Sequence, residues 1–167
     1  MNNLEKFRRV KAFVFDVDGV LTDHSIFVFE NGKIVRKLND KDLIALRKAV
    51  EHKYKIAIIS GGSLNGLAPI FKEIGITDLY EKARDKKVAY DEFKTIYEID
   101  NEQVLYMGDD LPDYPVMRIV GLPVCPKNAA PEIRAITQYM SPLGGGEGCV
   151  RDVIEKVLRL KKLWMPK

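Results

Sequence analysis

Cysteine is almost missing from this chain. Cys125 and Cys149 are the only two in 167 residues. Neither belongs to a group with metal-ligand spacing, which excludes a zinc site and a disulfide framework and fits reduced thiols of a cytosolic protein. Histidine is as scarce, with only His24 and His52, and tryptophan occurs once, at Trp164. No apolar run approaches the ~20 residues of a membrane span, and residues 1–10 contain no signal-peptide core. A soluble, cytoplasmic protein without a membrane partner is expected. An excess of one charge is lacking too, since 27 basic against 24 acidic residues leave +3. The small basic clusters (Lys6, Arg8, Arg9, Lys11; Arg159, Lys161, Lys162) have no interleaved aromatics, so they read as solvated helix faces and no nucleic-acid partner is expected.

What is present is ample apolar material, 46% of residues, enough for one core and one domain over residues 1–167. There is no internal repeat, low-complexity tract or interdomain linker. Apolar, β-branched runs at 11–16, 55–60, 103–107 and 122–125 alternate with helically spaced segments at 40–52, 64–74, 86–99, 112–120, 130–137 and 149–160. This pattern predicts an α/β fold, a doubly wound parallel sheet with right-handed crossovers. Shorter strands are expected at 78–80 and 139–140. Pro69 is expected to kink its helix, and Gly75 to stop it. Between the first strand and the first long helix, Asn31-Gly32 joins two strand-like runs at about 25–38. That dipeptide predicts a hairpin with both turn residues at positive φ, placed over the strand ends. Residues 163–167 form a short tail.

The chain is organised around residues 10–23. An apolar strand ends at Asp16, with Asp18 two residues on and Gly19 beside it. In a parallel sheet the C-terminal strand ends share one edge, where such folds hold ligands. Ser60-Gly61-Gly62 and Gly108-Asp109-Asp110 end two other strands at that edge, and Lys86 opens a helix. Converging carboxylates suit a hard, oxygen-preferring ion such as Mg²⁺. The Ser60 hydroxyl and the Gly61 and Gly62 amides can cradle phosphate oxygens, with Lys86 adding a cation. The simpler reading of Ser60 is a hydroxyl closing its own turn. Asp16 can attack phosphorus to give an aspartyl-phosphate, and Asp18 can protonate the leaving alkoxide and later deprotonate water.

In order along the chain, Asp16-Val17-Asp18-Gly19-Val20-Leu21-Thr22, Ser60, Lys86 and Gly108-Asp109-Asp110 with Asp113 resemble the four motifs of the haloacid dehalogenase (HAD) superfamily. A small hairpin in place of a cap domain, the GDDLPDYPVM stretch and Gly145-Gly146-Glu147-Gly148 with Arg151 are similar to its capless subfamily. That subfamily includes 3-deoxy-D-manno-octulosonate 8-phosphate (KDO 8-phosphate) phosphatases and sialic-acid-type 9-phosphate phosphatases. The resemblance implies a Rossmann-like HAD core and a Mg²⁺-dependent phosphatase acting on a phosphorylated sugar acid, with free KDO for lipopolysaccharide assembly as the product. It implies Asp16 and Asp18 as catalytic residues, and Ser60, Gly61, Gly62 and Lys86 as phosphate ligands. Asp16, Asp18 (through its carbonyl) and Asp109 are implied as metal ligands, with Asp110 and Asp113 supporting them or capping a helix. A homotetramer is also implied, its active sites completed by neighbouring hairpins and tails.

The chain departs from that pattern after Gly62. Residues 63–70 carry no arginine where relatives place those that bind the sugar acid, and Asp42-Leu43 stands where relatives often have Asp-Gly. The glycine-rich loop at 144–148 reads as a hinge or as a contact to a neighbour's substrate. His24 and His52 read as surface or structural, with His24 near enough to touch substrate, and Trp164 as an interface residue. A non-catalytic regulatory subunit would be favoured by loss of Asp16 or Asp18, and both are present. A receiver-like phospho-acceptor domain does not pair its acids as Asp-x-Asp-Gly at the first strand.

Overall fold

The computed structural model describes residues 2–165. Helix α1 (Asn3–Arg9), capped by the Asn2 side chain, which accepts from Glu5 N at 2.9 Å, leads into strand β1 (Ala12–Phe15). A tight turn over Val17–Leu21 follows, then the hairpin β2 (Ile26–Val28) and β3 (Ile34–Arg36). The main chain then alternates: α2 (Asp40–Glu51), β4 (Lys55–Ile59), α3 (Ala68–Ile74), β5 (Asp78–Tyr80), α4 (Lys86–Tyr97), β6 (Val104–Met107), α5 (Tyr114–Met117), β7 (Leu122–Cys125), α6 (Pro131–Ile136), β8 (Tyr139–Met140) and α7 (Cys149–Leu160).

All six strands of the main sheet are parallel, in the order β5-β4-β1-β6-β7-β8. Strand β1 is central, and the chain winds to β4 and β5 on one side before returning to β6, β7 and β8 on the other. Its C-terminal end is therefore the switch point of the sheet, the place where two neighbouring crossovers leave in opposite directions and open a crevice. Side-chain alternation along β1 supplies both layers. Phe13 and Phe15 enter a core with Leu46 of α2, Phe71 of α3 and Val153, Ile154 and Val157 of α7. Ala12 and Val14 enter a second core with Tyr90 and Phe93 of α4, Val116 of α5 and Ile133 of α6. All four β1 residues are buried, which is why the run is apolar on both faces.

Three local expectations are corrected. The hairpin turn is a three-residue loop, closed by Phe29 N donating to Lys33 O at 2.9 Å, in which Gly32 has φ +77° while Asn31 keeps negative φ. This three-residue form also needs only one left-handed residue. Pro69 lies in the first turn of α3, where its missing N–H costs no helical bond, so the helix starts late rather than kinking. The segment at 112–120 is split into a 3₁₀ turn (Leu111–Asp113) and the four-residue α5.

The tail is also placed differently from expectation. Trp164 is buried in this chain's own core, with Lys48 and Arg151 above its ring. The last two tail residues, 166–167, lie outside the described residues. Among the described residues no helix is long and apolar enough to cross a membrane.

Candidate active site

Three strands deliver polar residues to one edge: β1 leads to Asp16, β4 to Ser60 and β6 to Gly108 and Asp109. Asp16 starts the tight turn, its Oδ1 accepting from Val17 N at 2.7 Å. Lys86 is the first residue of α4, whose N-cap Asp85 accepts from Lys87 N. This sends the Lys86 side chain into the buried edge, where Nζ stands 2.8 Å from Asp16 Oδ1 and 2.7 Å from Asp113 Oδ1.

Asp113 is the anchor of the cluster. It is fully buried, and its Oδ1 also accepts from Tyr106 OH at 2.7 Å. Its Oδ2 accepts from the amides of Asp109 (3.1 Å) and Asp110 (3.4 Å). Four donors on two oxygens leave it as a holder of other groups. Asp110 turns outward and is exposed; its carboxylate caps the 3₁₀ turn through Leu111 N. Of the two roles open to both residues, Asp110 takes the capping one, whereas Asp113 supports the cluster and also closes the capping box on Asp110 N.

Oxygens of Asp16, Asp109 and Asp113 all lie within 4.8 Å of one another. Burial, reinforced by Asp113, pushes the Asp16 carboxyl well above the usual carboxylate range, and Lys86 only partly offsets it. Burial likewise raises Asp109, against the pull of His24. At Lys86, Asp113 and Asp16 together outweigh burial and raise the ammonium. Three carboxylates lie together beside one ammonium, which contacts Asp16 and Asp113, so the buried edge carries excess negative charge and calls for a proton or a cation. Asp109 Oδ1 is buried and has no hydrogen-bond partner. An orphaned carboxylate oxygen beside two more carboxylates fits a hard divalent cation bound through oxygen. Because the oxygens of Asp113 are taken, Asp16 and Asp109 are the side chains open to it. Asp18 is expected to ligate through its main-chain carbonyl, and its carboxylate is engaged by Arg36.

Arg36 is the residue that sequence reasoning passed over. Its Nε lies 2.8 Å from Asp18 Oδ1 and its Nη2 3.3 Å from Oδ2, while Nη1 donates to Ser63 O at 3.2 Å. A signal was available: in the run at 33–38, strand alternation puts Arg36 on one face with Ile34 and Leu38, an unexpected cation among apolar neighbours. His24 was similarly undervalued. Its backbone is left-handed (φ +67°), and Nε2 lies 2.8 Å from Asp109 Oδ2 although the side chain is half exposed. Gly19 makes this pair possible, because any Cβ there would overlap both Asp109 Oδ2 and His24 Nε2.

The phosphate-cradle candidates lie together at the end of β4. Ser60 is buried, and its Oγ accepts from Gly62 N at 3.1 Å, closing its own turn while its O–H stays able to donate. Gly61 is exposed at the mouth. The glycine-rich loop packs on its own chain: a Cβ at Gly145 would overlap the carbonyls of Gly19 and Thr22, and Gly146 N donates to Val20 O at 2.9 Å. It buttresses the turn after Asp16. Arg151, expected near a neighbour's substrate, stacks on Trp164 and pairs with Glu155.

A switch-point crevice holding a buried carboxylate trio, a serine at a strand end and a lysine at a helix start is that of a hydrolase built for phosphoryl groups. Residues 75–148 match the haloacid dehalogenase-like hydrolase family. The chain is 34% identical to the 3-deoxy-D-manno-octulosonate 8-phosphate phosphatase of Yersinia pestis over 93% of this chain and 83% of that protein. A crystal structure of the Y. pestis enzyme superposes with a TM-score of 0.93 at 33% identity, covering 96% of this chain and 87% of that one. The enzyme from Moraxella catarrhalis, solved with magnesium ion, phosphate ion and KDO, gives 0.92 at 29% identity and covers 96% and 92%. The chain belongs to the 3-deoxy-D-manno-octulosonate 8-phosphate phosphatase family of haloacid dehalogenase-like hydrolases.

Proposed function

We propose that this chain is a Mg²⁺-dependent phosphatase that hydrolyses KDO 8-phosphate to KDO and phosphate. The observation that carries the chemistry is the Lys86 ammonium shared by Asp16 and Asp113 beside the orphaned Asp109 Oδ1. The substrate rests on the 34% identity over nearly the whole chain.

Asp16 acts as nucleophile. Val17 N and Lys86 Nζ both contact Oδ1, which leaves Oδ2 to form the bond to phosphorus. As that bond forms, the ester P–O bond breaks and the leaving alkoxide takes the proton of Asp18. Asp18 enters this step as the general acid. It leaves it as a carboxylate and then takes a proton from the water that attacks the aspartyl-phosphate. Phosphate departs, and Asp16 and Asp18 are restored. Ser60, the Gly61 and Gly62 amides and Lys86 orient and neutralise the phosphoryl oxygens. Asp16, Asp109 and the Asp18 carbonyl would hold Mg²⁺, which would supply further positive charge to the phosphoryl group. Asp113 holds Lys86 in place, and Asp110 caps the turn that carries it.

The hairpin exposes Ile26, Phe27, Val28, Phe29 and Ile34, each more than half exposed. Such a patch supports its burial by neighbouring subunits in a homotetramer, in which the hairpin closes an adjacent site. Assembly in the cytoplasm, supplying KDO for lipopolysaccharide, completes the reading.

The test is a panel of phosphorylated sugars and sugar acids ranked by kcat/KM with Mg²⁺. KDO 8-phosphate is expected first. A nine-carbon keto-acid 9-phosphate in first place would change only the substrate, and a plain hexose phosphate would overturn the assignment.

A further inference from the structure

Residues 63–70 contain no arginine, yet a guanidinium lies over that segment. It belongs to Arg36, at the end of β3, and crosses from the hairpin to the loop after β4. Nη1 donates to Ser63 O, and Nη2 is so close to Gly62 that a Cβ there would stand 3.3 Å away. The remaining contacts go to one residue, Asp18, each carboxylate oxygen paired with a different nitrogen at 2.8 and 3.3 Å. The Arg36 side chain is 18% exposed, so this is a partly sheltered fork and not a solvated surface pair.

We propose that Arg36 is the positioning residue for proton transfer at this site: its fork, braced on Ser63 O, fixes where the Asp18 carboxyl group points. This rests on the phosphatase reading given above. A carboxyl group on Cα–Cβ has two free torsions. Thr22 Oγ1 offers Asp18 Oδ1 only a long 3.4 Å contact, and the planar guanidinium is the group that holds both oxygens together. Arg36 has five N–H donors and spends three on Asp18 and Ser63. It therefore ties three segments into one unit: the hairpin, the turn after β1 and the loop after β4. A lysine at this position could not reproduce that, because a single ammonium cannot grip two oxygens in one plane. Placing the guanidinium on the hairpin also couples the cover of the site to its acid–base group.

The test uses Mg²⁺-loaded full-length protein in single turnover, enzyme in excess, with three substrates. KDO 8-phosphate and glycerol phosphate have alkoxide leaving groups that need a proton, and only the first carries a carboxylate. The third, 4-nitrophenyl phosphate, releases a phenolate stable without one. In Arg36→Gln the first-turnover release from both alkyl phosphates should fall about 10²-fold, the scale of a misplaced catalytic group. Nitrophenolate release should stay within about threefold under these conditions and, with substrate in excess, appear as a burst, because hydrolysis of the aspartyl-phosphate still needs Asp18 as base. Arg36→Lys should behave like Arg36→Gln.

Equal losses on all three substrates, or no loss, would overturn the assignment. So would a loss confined to KDO 8-phosphate, which would make Arg36 a carboxylate receptor, or full activity in Arg36→Lys, which would make charge alone sufficient. Retained nitrophenolate release guards against a folding artefact. If wild type itself fails to turn over KDO 8-phosphate while it hydrolyses glycerol phosphate, the substrate reading fails and the Arg36 assignment is still decided by the other two substrates.

Discussion

Lys86 and Asp113 form a buried ion pair at 2.7 Å, and the rest of the site is hung from it. The two side chains are almost wholly inaccessible, at 3% and 1% exposure. Asp113 also satisfies Tyr106 OH and two backbone amides. Removing it would strand the Tyr106 hydroxyl and two amides in a water-excluded space and leave Lys86 to Asp16 alone.

Asp113→Ala should therefore lower the unfolding free energy by about 3–5 kcal/mol, the scale of breaking a buried pair from one side. Asp113→Asn should cost less, because the amide oxygen can still accept. Urea denaturation of the two variants checks this, and a loss under about 1 kcal/mol in Asp113→Ala would show that Asp16 alone satisfies Lys86.

Asp16 behaves in the opposite sense. Its carboxyl is raised by burial and by Asp113, so in metal-free protein its charge opposes folding. Asp16→Asn should thus leave metal-free stability equal or higher while reducing turnover by at least about 10⁴-fold, as expected for a missing nucleophile. Thermal unfolding with EDTA and phosphate release measure the two effects. Mass spectrometry of quenched wild type should show a phosphorylated peptide containing Asp16 that the variant lacks.

The parts of this arrangement visible in the sequence were those set by strand endings. Apolar runs that stop at Asp16, Ser60 and Gly108 state both the sheet and its working edge, since a parallel strand buried on both faces must end where the polar residues begin. Lys86 followed from its helix start. The contacts that were not legible join elements far apart in sequence through side-chain direction. Arg36 meets Asp18 only because the hairpin folds back over the β1 turn. The Asp42 carboxylate reaches the first turn of α7 across the packed α2–α7 pair. The glycines at 144–148 read as a hinge or as a contact to a neighbour's substrate, and within this chain Gly145 is small because the loop lies against the Gly19 carbonyl. Whether glycine supplies freedom or closeness depends on a neighbour that spacing does not name.

Metal dependence should show in stability as well as rate. A ligand bound only by the folded chain at 100 times its Kd adds about 2.7 kcal/mol, which for a chain of this size is roughly 5–10 °C in Tm. Mg²⁺ should raise Tm by that order, EDTA should reverse it and abolish hydrolysis, and Asp109→Asn should remove most of the shift. A Tm indifferent to Mg²⁺ in wild type would mean that the folded chain does not take up the ion, and an undiminished shift in Asp109→Asn would place it elsewhere than the buried edge.

The final prediction concerns Asp42, a buried carboxylate outside the catalytic edge. It lies in the first turn of α2, and its Oδ1 accepts from Arg151 N at 2.7 Å, capping α7, whose own N-cap is Gly148 and has no side chain to do so. Oδ2 is buried without a partner. Burial raises this carboxyl from 3.8 to about 6, against the pull of Arg151. A raised carboxyl pKa means that the folded chain binds the proton more tightly than the unfolded chain, so stability falls as pH rises through the interval from about 4 to about 6. The full swing from Asp42 alone is about 3 kcal/mol. Asp42→Asn keeps an oxygen for Arg151 N and cannot titrate. Wild type should therefore lose about 2.4 kcal/mol relative to Asp42→Asn between pH 4 and pH 7, read from paired urea unfolding curves in which the other acids cancel. Parallel pH profiles for the two proteins would mean that water reaches Oδ2 and that the cap is held at no electrostatic cost.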